Sequence, residues 1–219
     1  MSKQYYSQIG QDQYYIENIS KYKKNGIFLD IGANDGIMDS NTAALEFHYG
    51  WKGICIEANP NLINKLSLNR PDSVIVNCAA WKSEGEIQLE VSDSCFNGIP
   101  GNLLSRVAEL NNNQQHFVNH FNESKSIVTV QSKTVTSIIE NYYNLPLSID
   151  YMSLDVEGAE LEVLQGLNFS MIDIKFMTIE HGDRSQDYIN NISNYLIEYG
   201  YKQHRLNRWD IEFIKQEEI

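Results

Sequence analysis

Five short, mainly apolar runs of this sequence each end in an acidic or amide side chain. Each run has the length and composition of a buried strand, and strands that alternate with helical patterns form parallel sheets. Ligands of such open sheets bind outside the carboxyl ends of the strands. We therefore expect one edge of a sheet to collect these side chains: Asp30, Glu57, Asn77, Asp155 and Glu180.

A glycine-rich turn follows the first run, at Asp30-Ile31-Gly32-Ala33-Asn34-Asp35-Gly36. Glycine lets the backbone turn sharply beside a ligand, and asparagine tolerates left-handed conformations better than most residues. A dinucleotide motif requires a third glycine where Ile37 stands. The carboxylates of Asp30 and Asp35 oppose a pyrophosphate and favour a cationic sulfonium cofactor, whose own carboxylate suits the loop amides. The expected cofactor contacts of this turn are Asp30, Gly32, Ala33, Asn34 and Gly36.

The ends of the next two apolar runs provide candidate residues for binding a nucleoside. Glu57 can accept hydrogen bonds from both hydroxyls of a ribose, and Ala58 follows it. The small residues of Asn77-Cys78-Ala79 leave room for an adenine ring, with Asn77 or Cys78 at its edge. Glu57, Ala58, Asn77, Cys78 and Ala79 are therefore further candidates for cofactor binding.

Acids and a histidine are concentrated at the last two run ends. The segment Asp155-Val156-Glu157-Gly158-Ala159-Glu160 brings three carboxylates close together, and Glu180-His181-Gly182-Asp183 follows the next run. Crowded carboxylates require a cation, proton sharing or solvent. Glu160 is equally well explained as a cap of the following helix. We predict that Asp155, Glu180 and His181 lie at one rim.

The whole pattern predicts an α/β protein with a Rossmann-like sheet that is mostly parallel, has helices on both faces and ends in an antiparallel closing strand. Residues 1–219 are expected to form a single domain. Residues 92–126 interrupt the strand–helix rhythm with a helical pattern at Leu103, Leu104, Val107 and Leu110. We interpret this segment as an insertion that covers the substrate.

The composition and charge of the sequence exclude several kinds of partner and site. The chain of 219 residues carries a formal net charge of -12, and its basic residues are scattered, so nucleic acid is not expected as a partner. Three cysteines without a CxxC pair indicate neither disulfides nor zinc. The sequence has no apolar run long enough to span a membrane and starts without a signal peptide, which predicts a cytoplasmic protein. Its 13 tyrosines would suit a homo-oligomer interface.

Several segments in this order resemble the FkbM-type methyltransferases. They are Ser7-Gln8-Ile9-Gly10-Gln11-Asp12, residues 28–36, Cys55-Ile56-Glu57-Ala58-Asn59-Pro60, and residues 155–160 followed by Val163-Leu164 and Gly166. The similarity extends through Glu180 and omits the insertion. It implies S-adenosylmethionine as cofactor and O-methylation, commonly of sugar hydroxyls in glycans or natural products. It also implies cofactor roles for Asp30, Gly32 and Glu57, with Gln11 and Asp12 contacting cofactor or closing the site.

A sugar hydroxyl is weakly acidic, so a base must remove its proton during methyl transfer. His181 or Asp155 is the expected base, and Glu180 lies beside them in the predicted rim. A metal variant uses Asp155, Glu180 and Asp183 as oxygen ligands of Mg²⁺. The acceptor is expected to be a sugar or glycan, either free or linked to a nucleotide.

Three other functions are compatible with parts of the pattern. One is methylation of a small metabolite or a protein group. Another is a non-catalytic module that binds the cofactor as a sensor or scaffold, although simple binding would not need the acids around Asp155. A nicotinamide dehydrogenase is disfavoured by Ile37.

Overall fold

A mixed sheet of seven strands forms the centre of the protein. The structure, a computed structural model, describes residues 4–92, 105–110 and 125–216. Its strands are β1 (Ile27–Ile31), β2 (Lys52–Glu57), β3 (Val74–Asn77), β9 (Tyr151–Leu154), β11 (Phe176–Glu180), β12 (Tyr201–Leu206) and β13 (Asp210–Lys215). Their order in the sheet is β12-β13-β11-β9-β1-β2-β3, and all neighbours are parallel except the pairs that involve β13. The predicted antiparallel closure is confirmed.

Helices cover both faces of this sheet, as the sequence predicts. One face packs against α4 (Val135–Glu140), α5 (Glu160–Gln165) and α6 (Gln186–Glu198). The other packs against α1 (Gln11–Tyr14), which continues as a π-helical turn (Tyr15–Ile19), and against α2 (Ala43–Tyr49) and α3 (Ile63–Asn69). Alternate residues of β1 face opposite layers, because Leu29 and Ile31 belong to the first core and Phe28 to the second.

Two helix boundaries carry capping residues. Ser185 accepts a hydrogen bond from the Tyr188 amide and begins α6. Gly50 has a φ of 67° and ends α2, a left-handed conformation that glycine adopts at little cost. No helix in the described part of the chain is long and apolar enough to cross a membrane.

A second, four-stranded sheet in the order β4-β7-β5-β6 was not predicted. It comprises β4 (Ala79–Ala80), β5 (Gly85–Ser92), β6 (Ser105–Val107) and β7 (Lys125–Lys133), while β8 (Leu147–Ile149) and β10 (Ile172–Ile174) form a separate parallel pair. The helical pattern proposed around Val107 is wrong for residues 105–107, because they pair with Leu89–Val91 of β5. Leu103 and Leu104 lie outside the described residues.

The second sheet packs against the same edge of the main sheet that carries the acidic run ends. Its buried side chains, including Val107 and Val91, share a core with Ala159 and with the partly buried Ala58 and Val156. Ala58 follows β2 and Val156 follows β9. The described part of the insertion therefore lies beside the carboxyl ends of these strands.

Candidate active site

The glycine turn after β1 makes an unusually close contact with the chain after β9. Gly32 has a φ of +83°, and a Cβ atom added there would lie 1.6 Å from the carbonyl oxygen of Asp155. The Asp155 amide donates to the Ile31 carbonyl, and the Gly32 and Ala33 amides donate to the Ile56 carbonyl. These bonds bring the ends of β1, β2 and β9 together, and only glycine fits at their meeting point.

Asn34 adopts the left-handed conformation proposed for it, with a φ of 52°. The loop amides, however, already bond to protein acceptors. The Asn34 amide donates to Glu57, the Gly36 amide to the Ala33 carbonyl, and those of Ile37 and Met38 to Asp35. These four amides are engaged in this conformation, and the contact of the turn with a ligand carboxylate stays a prediction.

Asp30 points away from the edge of the sheet, toward α2 and α3. Its carboxylate accepts a 2.5 Å hydrogen bond from the Thr42 hydroxyl and lies 3.4 Å from Nη1 of Arg70. Alternation along β1 places Asp30 on the same face as Phe28, whose ring stacks with the Arg70 guanidinium at 5.1 Å. Burial raises the pKa of Asp30, although Arg70 and Thr42 counteract this effect.

Arg70 ties the glycine turn to the underlying helices. Its side chain is 0 % exposed, and its Nε atom lies 2.7 Å from Glu46 on α2. Nη1 also lies within hydrogen-bond reach of the Gly36 carbonyl and the Ser40 hydroxyl. Arg70 was not predictable from the sequence, since its partners Asp30, Gly36 and Glu46 are far away along the chain.

Replacement of Arg70 by methionine is expected to lower the free energy of unfolding by about 3–5 kcal/mol, since Glu46 and Asp30 would remain buried without their partner. Urea unfolding followed by circular dichroism measures this loss. Lys65→Met is the matched control, because Lys65 pairs with Asp35 at 2.8 Å from an exposed position. Its loss should stay below about 1 kcal/mol. An equal effect of both changes would contradict a special role for the buried network.

Glu57 lies at the carboxyl end of β2 with both oxygens engaged. Oε2 accepts from the Asn34 amide at 2.8 Å and Oε1 from the Asn59 amide at 2.7 Å. Burial raises its pKa, whereas these two bonds favour the carboxylate. Asn77 donates to the carbonyls of Glu57 and Ala58, and Cys78 and Ala79 are buried beside it. A carboxylate has four lone-pair sites, so Glu57 retains acceptor capacity for a diol.

Three carboxylates meet at the ends of β9 and β11. Oxygen atoms of Asp155, Glu157 and Glu180 all lie within 4.8 Å of one another. The sequence predicted the first and the last of these. Asp183, the third proposed metal ligand, is exposed and does not belong to the group, whose third member is Glu157. Glu157 reaches it from a left-handed backbone with a φ of 57°.

Mutual repulsion favours proton sharing in this acidic triad of Asp155, Glu157 and Glu180. Solvent reaches Asp155, yet desolvation by the surrounding protein and repulsion from Glu180 and Glu157 raise its pKa well above the ordinary value. Desolvation likewise raises the pKa of Glu180 to about 7, and that of Glu157 is also raised. The raised pKa values therefore favour a proton held within the group.

Arg184 supplies the balancing charge. Its side chain is 3 % exposed, and its guanidinium lies 3.3 Å from Glu180 and 3.7 Å from Glu157. The 5.3 Å stack on the Tyr188 ring fixes its position. The spacing of four residues between Glu180 and Arg184 was the only available sequence signal, and it is uninformative because Glu180 ends a strand rather than lying in a helix.

Glu160 holds the loop that carries Asp155 and Glu157. Its Oε1 atom accepts from the amides of Val156 and Gly158, and its Oε2 atom accepts from the Tyr188 hydroxyl. Glu160 therefore has a structural role, but the prediction that it caps the helix is wrong, because the amides it accepts from precede α5, whose N-cap is Ala159.

His181 packs beneath the turn between β12 and β13. Its Nε2 atom lies 3.3 Å from the Asn207 carbonyl, and its Nδ1 atom is buried without a hydrogen-bond partner among the described residues. Gln11 reaches the same region, because its side-chain amide donates to Asp210 at 2.8 Å. Asp210 pairs with Glu180 across β13 and β11. Gln11 and His181 therefore both lie near the rim, but each contacts the β12–β13 turn rather than the acidic triad.

The strand order, the glycine turn after β1 and an acid at the end of β2 together define a class I methyltransferase fold. A sequence profile of the methyltransferase FkbM domain matches residues 30–202. This chain therefore belongs to the FkbM methyltransferase family.

One solved structure agrees with this fold. A methyltransferase FkbM from Methylobacillus flagellatus is 13% identical, with a TM-score of 0.53, over 93% of this chain and 47% of that chain. This chain thus spans about half the length of that relative. A putative RNA methyltransferase from Pyrococcus horikoshii is 12% identical over 94% of this chain and 83% of its own, with a TM-score of 0.47. Aeropyrum pernix fibrillarin with bound S-adenosyl-L-methionine is 11% identical over 94% and 73%, with a TM-score of 0.46. A comparison with curated proteins finds no significant match.

Membership in the family implies S-adenosylmethionine as the methyl donor, and the residues at the sheet edge fit this group. Glu57 offers acceptor capacity for ribose hydroxyls beside the small side chains of Cys78 and Ala79. The acidic triad creates a negative potential that suits a positively charged sulfur. Gly32 keeps the loop close to the end of β9.

Proposed function

We propose that this protein transfers a methyl group from S-adenosylmethionine to a sugar hydroxyl in the biosynthesis of a surface glycan, a capsule or a natural product. The proposal rests on one observation. Asp155, which solvent can reach, belongs to the same cluster of carboxylates as Glu180, and this cluster lies at the sheet edge that also carries Glu57. Such a pair can accept the proton of a hydroxyl near neutral pH.

The proposed role of each residue follows from how accessible its polar atoms are. Glu57 accepts the ribose hydroxyls, and Asn77, Cys78 and Ala79 border the adenine. When bound, the cofactor supplies an electrophilic methyl group on a positively charged sulfur. Asp155 takes the hydroxyl proton, while Glu180 and Arg184 distribute the charge of the pair. His181 is a weaker candidate for the base, since its Nδ1 is buried and its Nε2 faces a carbonyl.

The supporting arrangement extends to the second sheet. We propose that the insertion at residues 92–126 covers the acceptor, since its described part packs near Val156 and Ala159. We also propose a single methyltransferase domain that works in the cytoplasm on sugar or glycan acceptors rather than nucleic acid, in keeping with the net charge of -12. Assembly into a homo-oligomer stays a prediction.

Calorimetric titration with S-adenosylhomocysteine tests the cofactor assignment, with NAD as the control ligand. Saturable binding of the first alone is expected, and Glu57→Gln should weaken it about tenfold or more because the amide cannot accept both hydroxyls equally well. Binding of NAD, or none of either ligand, would overturn the proposal. Acceptor screening with sugar nucleotides then separates sugar methylation from methylation of a metabolite or protein. Cofactor binding without transfer to any acceptor would favour the scaffold alternative.

The predicted Mg²⁺ site is tested by measuring the turnover of methyl transfer with and without metal. The acidic triad offers oxygen ligands, but Arg184 already lies beside two of them. We expect protein treated with EDTA to retain its turnover. Loss of turnover that Mg²⁺ restores would instead assign the triad to a metal.

The rate of methyl transfer should rise with pH, because only the deprotonated base accepts a proton and the pKa values of both Asp155 and Glu180 are raised, that of Glu180 to about 7. Below that value, kcat/KM should fall about tenfold per pH unit. The midpoint belongs to the Asp155–Glu180 pair rather than to one residue. Glu180→Gln should move it to lower pH, since repulsion from Glu180 raises the pKa of Asp155. A flat profile between about pH 5 and about pH 8 would exclude this base.

A further inference from the structure

The turn that joins β12 to β13, residues 207–210, is fixed beside the active site. Oδ1 of Asn207 accepts from the amides of Trp209 and Asp210, and the Asn207 amide donates to the Asp210 carbonyl. The Trp209 carbonyl accepts from the amides of His181 and Gly182. Three of these hydrogen bonds stabilise the turn itself, and the two from His181 and Gly182 hold it against the residues that follow Glu180.

The side chains that the turn presents are an arginine and a tryptophan. Trp209 is partly exposed, whereas the other two tryptophans, Trp51 and Trp81, are only 1 % and 8 % exposed. The guanidinium of Arg208 lies 4.7 Å from the Trp209 ring centroid and is exposed. It forms no ion pair with a carboxylate within the part of the chain that the structure describes.

The neighbouring carboxylates do not neutralise Arg208. Asp210 is buried, and its carboxylate accepts from Gln11 instead. Glu180, its cross-strand partner on β11, is balanced by Arg184. Among the described residues, a cation without an acidic partner is thus held near the rim of an otherwise acidic site, on a turn that hydrogen bonds link to His181 and Gly182.

We propose that Arg208 and Trp209 form the subsite that recognises the acceptor, and that the acceptor is a sugar ring with an adjacent anionic group. This inference rests on the proposed function. An aromatic face packs well against a ring that is apolar on one side and polar at its edge. Arginine binds phosphate or carboxylate with paired donors and stacks on aromatic rings at the same time.

The charge distribution explains why this subsite is needed. The acidic triad repels an anion, so the negative group of the acceptor must be held elsewhere while a hydroxyl approaches Asp155. Arg208 meets this requirement because it lies beyond the strand ends, on the turn that contacts His181. A phosphate of a nucleotide-linked sugar and the carboxylate of a sugar acid share the chemistry that Arg208 recognises.

Trp209 provides a direct readout, because its fluorescence responds to ligands while the two buried tryptophans change little. The full-length protein, saturated with S-adenosylhomocysteine, is titrated with uridine diphosphate glucose, glucuronate and uncharged glucose. We expect a saturable change with at least one anionic probe and a weaker one with glucose. The nucleotide and the acid separate the two sources of charge. Trp209→Phe should abolish the change and corrects for absorption by the probes.

Arg208→Gln should raise the dissociation constant of the anionic probe about tenfold, the cost of one charge-assisted hydrogen bond. Lys202→Gln removes the same charge at an exposed position on β12 and should leave that constant unchanged. Calorimetry with S-adenosylhomocysteine accompanies each variant. Normal cofactor binding without a Trp209 response to any probe, or with equal anion affinity in Arg208→Gln, would overturn the subsite alone. Absence of cofactor binding in the unaltered protein would overturn the proposed function.

Discussion

Gly32→Ala is expected to lower the free energy of unfolding by about 4 kcal/mol or more and to abolish cofactor binding. The added methyl group would lie 1.6 Å from the Asp155 carbonyl oxygen, and the φ of +83° is itself unfavourable for alanine. The ends of β1 and β9 must separate to remove this clash, which breaks the backbone bond from Asp155 to Ile31. Urea unfolding and calorimetry with S-adenosylhomocysteine measure the two effects.

Gly10→Ala is the matched control for this change. Gly10 has a similar φ of +87°, but an added Cβ meets nothing within 4 Å. The control therefore contains the backbone strain without the clash, and its cost should be about 1–2 kcal/mol. Equal losses in both variants would show that the close approach of the two strand ends has no energetic consequence.

Asp155→Asn is expected to reduce kcat by about a hundredfold to ten-thousandfold, the usual contribution of a positioned base. The fold should survive, because the change removes one of three crowded carboxylates. Binding of S-adenosylhomocysteine should also be preserved, since its sulfur is neutral. The positively charged S-adenosylmethionine should bind more weakly to the variant than to the unaltered protein.

Asp183→Asn provides the comparison, as Asp183 is exposed and lies outside the acidic triad. Its kcat should stay within about twofold of the unaltered protein, as expected for a surface carboxylate. Unchanged turnover in Asp155→Asn would exclude Asp155 as the base, and a comparable loss in Asp183→Asn would restore the metal set predicted from the sequence.

The sequence was most informative where local pattern and sheet topology act together. Each apolar run became a strand, and parallel alignment then placed Glu57, Asp155 and Glu180 at one edge. The left-handed Asn34 was likewise predictable from its residue type. These features depend on neighbours in the chain and on a rule shared by all open α/β sheets.

Features that depend on distant partners were not predictable. The side chain of Asp30 faces α2 and α3, so its immediate partners are Thr42 and Arg70, and its predicted contact with the cofactor stays a prediction. The spacing of Arg184 and Trp209 in the sequence does not predict that they lie beside the site. The helical spacing around Val107 misled because pairing with β5 outweighs a weak local preference.

The pairing of β5 with β7 allows the length of the segment between them to change during evolution. Ser92 at the end of β5 stands opposite Lys125 at the start of β7, so the chain leaves the hairpin and re-enters it at one place. The distance between these ends stays fixed whatever sequence joins them, and the entropic cost of a longer connection grows only slowly with its length. The connection between Ser92 and Lys125 can therefore change in length at little cost while β6 keeps its pairing with β5, and descendants of such a chain can accept new substrates without a change in the seven-stranded sheet.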